Sequence, residues 1–284
     1  MSPNRAVGLT RDSGRQTVEY GSRTSLVLKA DIRPGHTGEL TGRSNASRRP
    51  STRAIDNGLA GWGSVALGSA WLRDAPGVRE GTQMRELTYL VASTIDGFIA
   101  GPDGGDPSGP DGFFVLEEEN LSGMIEDWPE VLPTPARTAM GIDPSNRNFD
   151  TVIEGRKSYQ LGLDAGVTDA YAHLKHYVFS RTLTESPDPA VRIVNGDPVA
   201  TVRELKAEPG AGIWLVGGGT LADVLADEID VLAIKFHPVV ARAGIPLFAG
   251  KFLPRRFDLA HSRIFDNGGM HLTYTRRPAN RSDS

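Results

Sequence analysis

The sequence of 284 residues contains no cysteine. Disulfides, iron–sulfur clusters, Cys-ligated zinc and a cysteine nucleophile are therefore excluded. The absence fits a reducing compartment, and a cytoplasmic protein is expected. No apolar run approaches the roughly 18 residues of a membrane span. The least polar early segment, AIDNGLAGWGSVALGSAWL (54–72), is interrupted by Gly, Asn, Asp and Ser. The N-terminal MSPNRAVGLTRDSGRQ lacks the apolar core of a secretory signal. Charge of one sign is also lacking: the net charge is −4 and the pI near 5.9. That balance gives no reason to expect a nucleic-acid partner. No internal repeat is found.

What charge there is divides the chain at about residue 84. Residues 1–83 hold 12 Lys and Arg against 7 Asp and Glu, a balance of +5, and the remainder carries −9. The first part is rich in Ser, Gly and Arg and shows no sustained period of 2 or 3.6, so a disordered N-terminal extension is expected. A basic arm for an anionic surface, or a targeting peptide, is the functional alternative. Met84, immediately before the first clear strand, is an alternative start of translation. Residues 84–278 are expected to form one domain and 279–284 a tail.

From residue 86 the texture changes. ELTYLVAST (86–94), DTVIEG (150–155), LKHYVFS (174–180), AVRIVNG (190–196), IWLV (213–216) and VLAIKFHPVV (231–240) read as strands. DPVATVRELKAE (197–208) reads as a helix, with Asp197 as cap and Pro198 in the first turn. TLADVLADE (220–228) reads as another. FDLAHSRIF and MHLTYTR flank Asp266-Asn267-Gly268-Gly269, a hairpin signal. Strands alternating with helices predict crossover units: an α/β fold with a mostly parallel sheet, closed by an antiparallel hairpin. Ligands of such sheets sit at the carboxyl ends of the strands.

Three signals fall at those ends. Gly217, Gly218 and Gly219 follow IWLV and lead into Thr220 and Leu221. Successive N–H groups at a helix start, with no Cβ in the way, suit a pyrophosphate; a tight strand-to-helix turn with no ligand is the plain alternative. The stretch also matches G-x-G-x-x-[GA]. Yet no carboxylate ends the next strand and only 65 residues follow Gly219, so a Rossmann fingerprint is disfavoured. No Gly-Lys-[Ser/Thr] follows, which excludes a P-loop. Gly155, Arg156, Lys157 and Ser158 place two cations and a hydroxyl after a second strand. Ser180 and Arg181 follow a third. All three should lie along one edge of the sheet, and together they call for an extended ligand with separated phosphates. NADPH fits.

In order, STIDGFIAG (93–101), DTVIEGRKSY (150–159), YVFSRTL (177–183), IWLVGGGTLADVLADEIDVL (213–232), HPVVARAGIPLF (237–248) and FDNGGMHLTYTRR (265–277) resemble the dihydrofolate reductase superfamily. The closer resemblance is to the reductase domain of bacterial bifunctional riboflavin-biosynthesis deaminase/reductases and its stand-alone relatives. It implies a three-layer α/β/α fold over about residues 85–278, hydride transfer to a small carbonyl or imine substrate, and a homodimer. It implies NADPH with Val91, Ala92 and Ile99 by the nicotinamide. Gly155, Arg156, Lys157 and Ser158 would hold phosphate, Ser180 and Arg181 the adenosine end and its 2′-phosphate, and Val216, Gly217, Gly218, Gly219, Thr220 and Leu221 the pyrophosphate.

Three departures qualify the resemblance. Ala241 stands where relatives commonly have a glycine. WPEVLPTPARTAMG (128–141) offers Thr134-Pro135-Ala136 where dihydrofolate reductases carry a helix acid, which speaks against folate reduction. No cysteine means no zinc deaminase. The proton source is not evident. Asp96 is the first candidate for substrate contact, with a turn-stabilising role beside it. Glu117, Glu118 and Glu119 read as a solvated helix face, and Glu126 and Asp127 are treated in the same way. His237 reads as a core or turn residue. The loop at 101–112 reads as surface, with a lid as the alternative. Two other functions stay open: a dihydrofolate reductase proper, and a nucleotide-binding module without catalysis.

Overall fold

The computed structural model describes residues 8–12, 15–19, 28–30, 84–109, 112–114 and 116–277. Near the N-terminus β1 (Gly8–Asp12), β2 (Arg15–Glu19) and β3 (Leu28–Ala30) pair antiparallel in that order. Strands this short generate no sustained period in a sequence. The expectation of a disordered extension otherwise falls, like that for the tail at 279–284, outside the described residues.

The domain from residue 84 is built on an eight-stranded sheet. Its members are β4 (Leu87–Ser93), β6 (Phe149–Gly155), β7 (Lys175–Phe179), β8 (Val191–Val194), β9 (Gly212–Leu215), β10 (Val231–Phe236), β12 (Phe257–Ile264) and β13 (Met270–Arg276). The spatial order is β12-β13-β10-β4-β9-β6-β7-β8. From β10 to β8 every neighbour is parallel. β13 runs antiparallel to β10, and β12 to β13. The expected α/β architecture with a closing antiparallel hairpin is the one observed. Two short strands, β5 (Phe98–Ala100) and β11 (Ile245–Pro246), pair beside it.

Side-chain alternation assigns the two faces. Leu90, Val152, Trp214 and Ala233 turn to one face, where α1 (Glu118–Asp127) packs through Leu121 and Met124. α2 (Thr134–Met140) and α3 (Arg156–Asp164) join this layer, through Met140 and Tyr159. Tyr89, Val91, Ile153, Leu215 and Leu232 turn to the other face, against α4 (Pro198–Ala207) and α5 (Gly219–Val224). Leu87, Tyr89, Val152, Ile153, Ile213 and Leu215 are fully enclosed. Each contributes about 1.5–3 kcal/mol as apolar surface leaves water.

The local signals that predict elements act physically where they stand. Asp197 accepts from Val199 N at 2.9 Å and caps α4. Phe265 N donates to Gly269 O and Gly268 N to Phe265 O, closing the hairpin, with Gly268 at φ +82°. Two elements are shorter than expected. α5 ends at Val224 rather than 228, and β10 stops at Phe236 because Pro238 has no N–H for the ladder.

Several buried polar groups of the domain are paired. Glu130 accepts from Arg147 N, Asn148 N and Asn148 Nδ2. Arg85 binds Asp150, Thr151 Oγ1 and the carbonyls of Leu205 and Ala211. His176, enclosed on β7, lies 2.8 Å from Glu154 Oε1 and 2.9 Å from Asp169 Oδ1. Burial lowers the basicity of His176, but these two carboxylates outweigh it and raise it to about 9. The ring is therefore a cation in the folded state at neutral pH. Its folded value exceeds the ordinary value near 6.5, so its stabilisation is complete below about pH 6.5 and is lost as pH rises through 9. A thermal-denaturation series is expected to show Tm falling from pH 6.5 to about 8. His176→Gln should remove that slope and cost about 3–5 kcal/mol, because two buried carboxylates lose their counter-ion.

Candidate active site

Because six strands run parallel, their carboxyl ends form one edge. Along it, in spatial order, lie the Thr94–Gly97 turn after β4, Val216–Gly219 after β9, Arg156 after β6 and Ser180–Thr182 after β7. Adjacent strands are about 4.8 Å apart, so β4 to β7 spans roughly 14 Å. The glycine loop and the two basic sites read from sequence therefore stand side by side.

The middle two loops touch. Gly155 N donates to Gly217 O at 3.4 Å, and Val216 N to Ile153 O at 3.0 Å. A Cβ placed on Gly217 would come within 3.9 Å of Ser158 Oγ. Both following helices, α3 and α5, begin without a side-chain cap, so their leading N–H groups are available to a ligand. The first turn of α3 holds no carboxylate but carries Arg156 and Lys157. Cations there oppose the helix dipole by about 0.3–1 kcal/mol each at exposed sites. A site that disfavours its own helix in this way is suited to a bound anion. Among the described residues no carboxylate lies within ion-pair distance of Arg156, Lys157 or Arg181.

The three glycines have different reasons for being glycine. At Gly218 a Cβ would meet nothing within 4 Å, which leaves the loop open on that side. At Gly219 it would collide with Pro246 O at 2.2 Å. Ala249 N also donates to Gly219 O at 3.1 Å. Gly219 thus serves close packing against the segment after β11, while Gly217 and Gly218 leave room for a ligand. The peptide between those two is cis.

The remaining candidates divide between floor and rim. Val91, Ile99 and Leu221 are buried in one apolar cluster under the glycine loop. Ala92 faces the opposite side of the sheet and is partly open, and Val216 packs against the cluster beneath α1. Thr220 is exposed on α5. Ser180 is buried, and its Oγ accepts from Thr182 N at 3.2 Å and Leu183 N at 2.8 Å, shaping the turn that presents exposed Arg181.

Asp96 is exposed, yet its carboxylate is engaged. It accepts from Thr94 Oγ1 at 2.7 Å, Ala241 N at 3.0 Å and Arg242 N at 2.7 Å. The Thr94 bond, followed by the two backbone bonds, holds its pKa down to about 2. A carboxyl group in that state is no proton donor at neutral pH; the arrangement clasps the β4–β5 turn to the loop after β10. The acidic residues of α1 are also engaged. Glu119 accepts from Asp266 N and Asn267 N, which corrects its reading as a purely solvated face. Glu126 and Asp127 bind Arg263, and Asp127 also binds His271. Residues 110 and 111 of the 101–112 loop lie outside the described residues. In the rest, Asp103 and Asp106 accept from Gly105 N and Ser108 N. A solvent-open groove of about 620 Å³ between α1 and β12 is lined by Glu118, Glu126 and Arg263 and does not touch the glycine loop.

Sequence reading missed Lys235. It lies on β10 in register with Ala92 on β4 and His271 on β13, on the face covered by α1. Its neighbours in the alternation are apolar, and nothing in the sequence separates it from an outward-facing lysine.

Comparison with known proteins places the chain. No family model matches it. It is 28% identical over 205 residues to the uncharacterized protein YyaP of Bacillus subtilis strain 168, covering 68% of this chain and 95% of YyaP. It is 30% identical over 166 residues to the uncharacterized protein YwjB of the same organism, covering 58% of this chain and 83% of YwjB. The chain belongs to the family of YwjB. Neither relative's name carries an activity. Among solved structures, a protein of Shewanella sp. PV-4 named for riboflavin biosynthesis matches at TM-score 0.47 and 21% identity, over 68% of this chain and 99% of that one. The diaminohydroxyphosphoribosylaminopyrimidine deaminase/5-amino-6-(5-phosphoribosylamino)uracil reductase of Thermotoga maritima matches at TM-score 0.47 and 15% identity, over 69% and 57%.

Arg242 is the one non-glycine residue with positive φ among the described residues, at +66°. It follows Ala241, where the resemblance leads one to expect glycine. The left-handed conformation costs a side-chain-bearing residue about 1 kcal/mol. Arg242→Gly should therefore leave stability unchanged or raise it by up to about 1 kcal/mol in denaturant unfolding, because the relieved strain opposes the greater unfolded-state entropy of glycine.

Proposed function

We propose that the protein is an NADPH-dependent reductase of the riboflavin-biosynthesis reductase-domain type, acting on a small carbonyl or imine compound. The observation that carries this reading is the spatial order of the carboxyl edge. An apolar floor at Val91 and Ile99 stands at one end, two helix starts without side-chain caps meet at Gly155 and Gly217 in the middle, and exposed Arg181 stands at the other end. A dinucleotide phosphate has the same order: an apolar ring, a pyrophosphate, then a ribose phosphate. Arg156, Lys157 and Ser158 would hold the pyrophosphate from the β6 side, and Gly217, Gly218 and the N–H groups of Thr220 and Leu221 from the β9 side. Arg181 would meet the 2′-phosphate.

When bound, the nicotinamide supplies hydride. What the chain's own residues contribute is placement: Ala92 offers a small, partly open surface beside the ring, and Asp96 holds the neighbouring turn. In this reading the partner is a small molecule, the protein is cytoplasmic, and the assembly is a homodimer. Exposed Leu259 and Ile264 on edge strand β12 supply apolar surface of the kind a second copy would cover. Dihydrofolate reduction is less well supported, since Glu119, Glu126 and Asp127 of α1 are held by the hairpin N–H groups, Arg263 and His271.

The test is a fluorescence titration with NADPH and NADH, followed by a turnover screen including 5-amino-6-(5-phosphoribosylamino)uracil and dihydrofolate. NADPH should bind at least about tenfold more tightly than NADH, the worth of one charge-assisted phosphate contact. Arg181→Glu should abolish that preference. Lys157→Glu should weaken both cofactors about tenfold while stabilising the free protein by about 0.3–1 kcal/mol. Equal affinity of the wild type for the two cofactors would sink the 2′-phosphate assignment, and NADPH binding without turnover on any substrate would favour a non-catalytic binding module.

A further inference from the structure

Lys235 is a half-buried cation on an inner strand of the sheet that, among the described residues, meets neither a carboxylate nor a backbone carbonyl. Its Nζ lies 3.7 Å from Met124 Sδ on α1, its only hydrogen-bond partner among the described side chains. Among the described residues no carboxylate lies within 4 Å of it. The groups around it are accounted for. On its own strand, His237 stacks on Phe114 with ring centres 4.5 Å apart, and burial, then Lys235 and His271, push its pKa down to about 4, so it is neutral. From β13, His271 is bound to Asp127 of α1 at 2.9 Å. From β4 comes only Ala92.

A lysine that merely extends along an apolar surface keeps its amine in water and its ordinary basicity. Here the side chain is only half-exposed between β10 and Met124 of α1, and desolvation lowers the amine to about 8. A buried lysine elsewhere in this domain, Lys206, shows the alternative: it sits 2.6 Å from Asp230 Oδ2 and donates to Glu228 O. Leucine or methionine at 235 would pack under α1 at no electrostatic cost. A half-buried cation with no carboxylate among the described residues, beside the partly open Ala92, is suited to an anion from outside the chain.

We propose that Lys235 is the anchor of a substrate-side anion site, binding a carboxylate or other anionic oxygen of a small molecule held between β10, α1 and the open face of Ala92. Only the naming of that molecule as the substrate rests on the reductase reading; the site itself does not require a cofactor. Ala92 is the shared wall, since it is the nicotinamide neighbour on one strand and the register partner of Lys235 on the next.

The test uses the full chain without cofactor. Competitive acetylation with acetic anhydride across pH 6–11, read by mass spectrometry, follows each lysine separately. Lys235 should titrate near pH 8, below the ordinary lysine value of 10.5. Benzoate, glyoxylate and succinate serve as anionic probes and benzamide as the neutral isostere of the first. At least one anion should slow acetylation of Lys235 about fivefold or more, with benzamide without effect. Lys235→Met, matched in volume, should weaken binding of the protecting anion at least about tenfold in calorimetry while leaving the NADPH titration within about twofold. Titration of Lys235 with the surface lysines would overturn the proposal, as would no protection by any anion or equal protection by benzamide. Failure of NADPH to bind would overturn the reductase reading and leave these labelling results standing.

Discussion

The site depends on the position of β9. This strand is late in sequence, yet it lies between β4 and β6, the first and second strands of the parallel set. The insertion forces the loop after β9 to leave the sheet directly beside the loop after β6. The bonds from Gly155 N to Gly217 O and from Val216 N to Ile153 O are the direct result. Two helix starts that would otherwise stand apart are thereby brought onto one small volume. The steric demand at Gly219 fixes the depth of that loop, because any side chain there would strike the carbonyl of Pro246. Register, hydrogen bond and close approach together bring two helix starts that lack side-chain caps onto one place.

Much of this was legible in the sequence, for reasons that differ by element. Local chemistry was readable where it is self-sufficient. Asp197-Pro198 starts a helix, Asn267-Gly268 turns a hairpin, and apolar runs ending at glycine or serine are strands, because each acts within a few residues of itself. That the phosphate signals would share an edge also followed, since all stand at strand carboxyl ends of a parallel sheet. What did not follow was anything set by long-range pairing. Glu119, Asp127 and Glu130 look alike in sequence, as acids in or near a helix. Their tasks differ because hairpin N–H groups, His271 with Arg263, and the amides of Arg147 and Asn148 happen to lie opposite them. Asp96 is a further case. Asp before Gly is a turn signal, but its clasp on Ala241 and Arg242, 145 and 146 residues away, is a property of the fold.

Those contacts also separate structural charge from functional charge. In the body of the domain, ionisable groups withdrawn from water have partners. Arg85 has Asp150, His176 has Glu154 and Asp169, His271 has Asp127, and Lys206 has Asp230. Such pairs contribute little net stability relative to an apolar pair, but each is costly to break once made. They explain why these residues occur, and they ask for no ligand. Arg156 and Lys235 do not fit that account. Both are partly withdrawn from solvent, both stand at or near the carboxyl edge, and neither meets a carboxylate among the described residues.

The two differ in what they lack. Arg156 opens a helix whose N–H groups are also unsatisfied, so its deficit is one of negative charge spread over several donors, as a phosphate supplies. Lys235 has a single amine under a methionine sulfur, with apolar walls and two histidines that are neutral or already bound. Its deficit is one oxygen at one point. A molecule that met both would be two molecules, or one cofactor and one substrate, approaching Ala92 from the two sides. Val91 and Ile99 look to one face of the sheet and Ala92 and Lys235 to the other, so two such ligands could touch only beyond the carboxyl end of β4. Were two ligands to meet there, each drawn by a different charge, they would be in the direct contact that transfer between bound molecules requires.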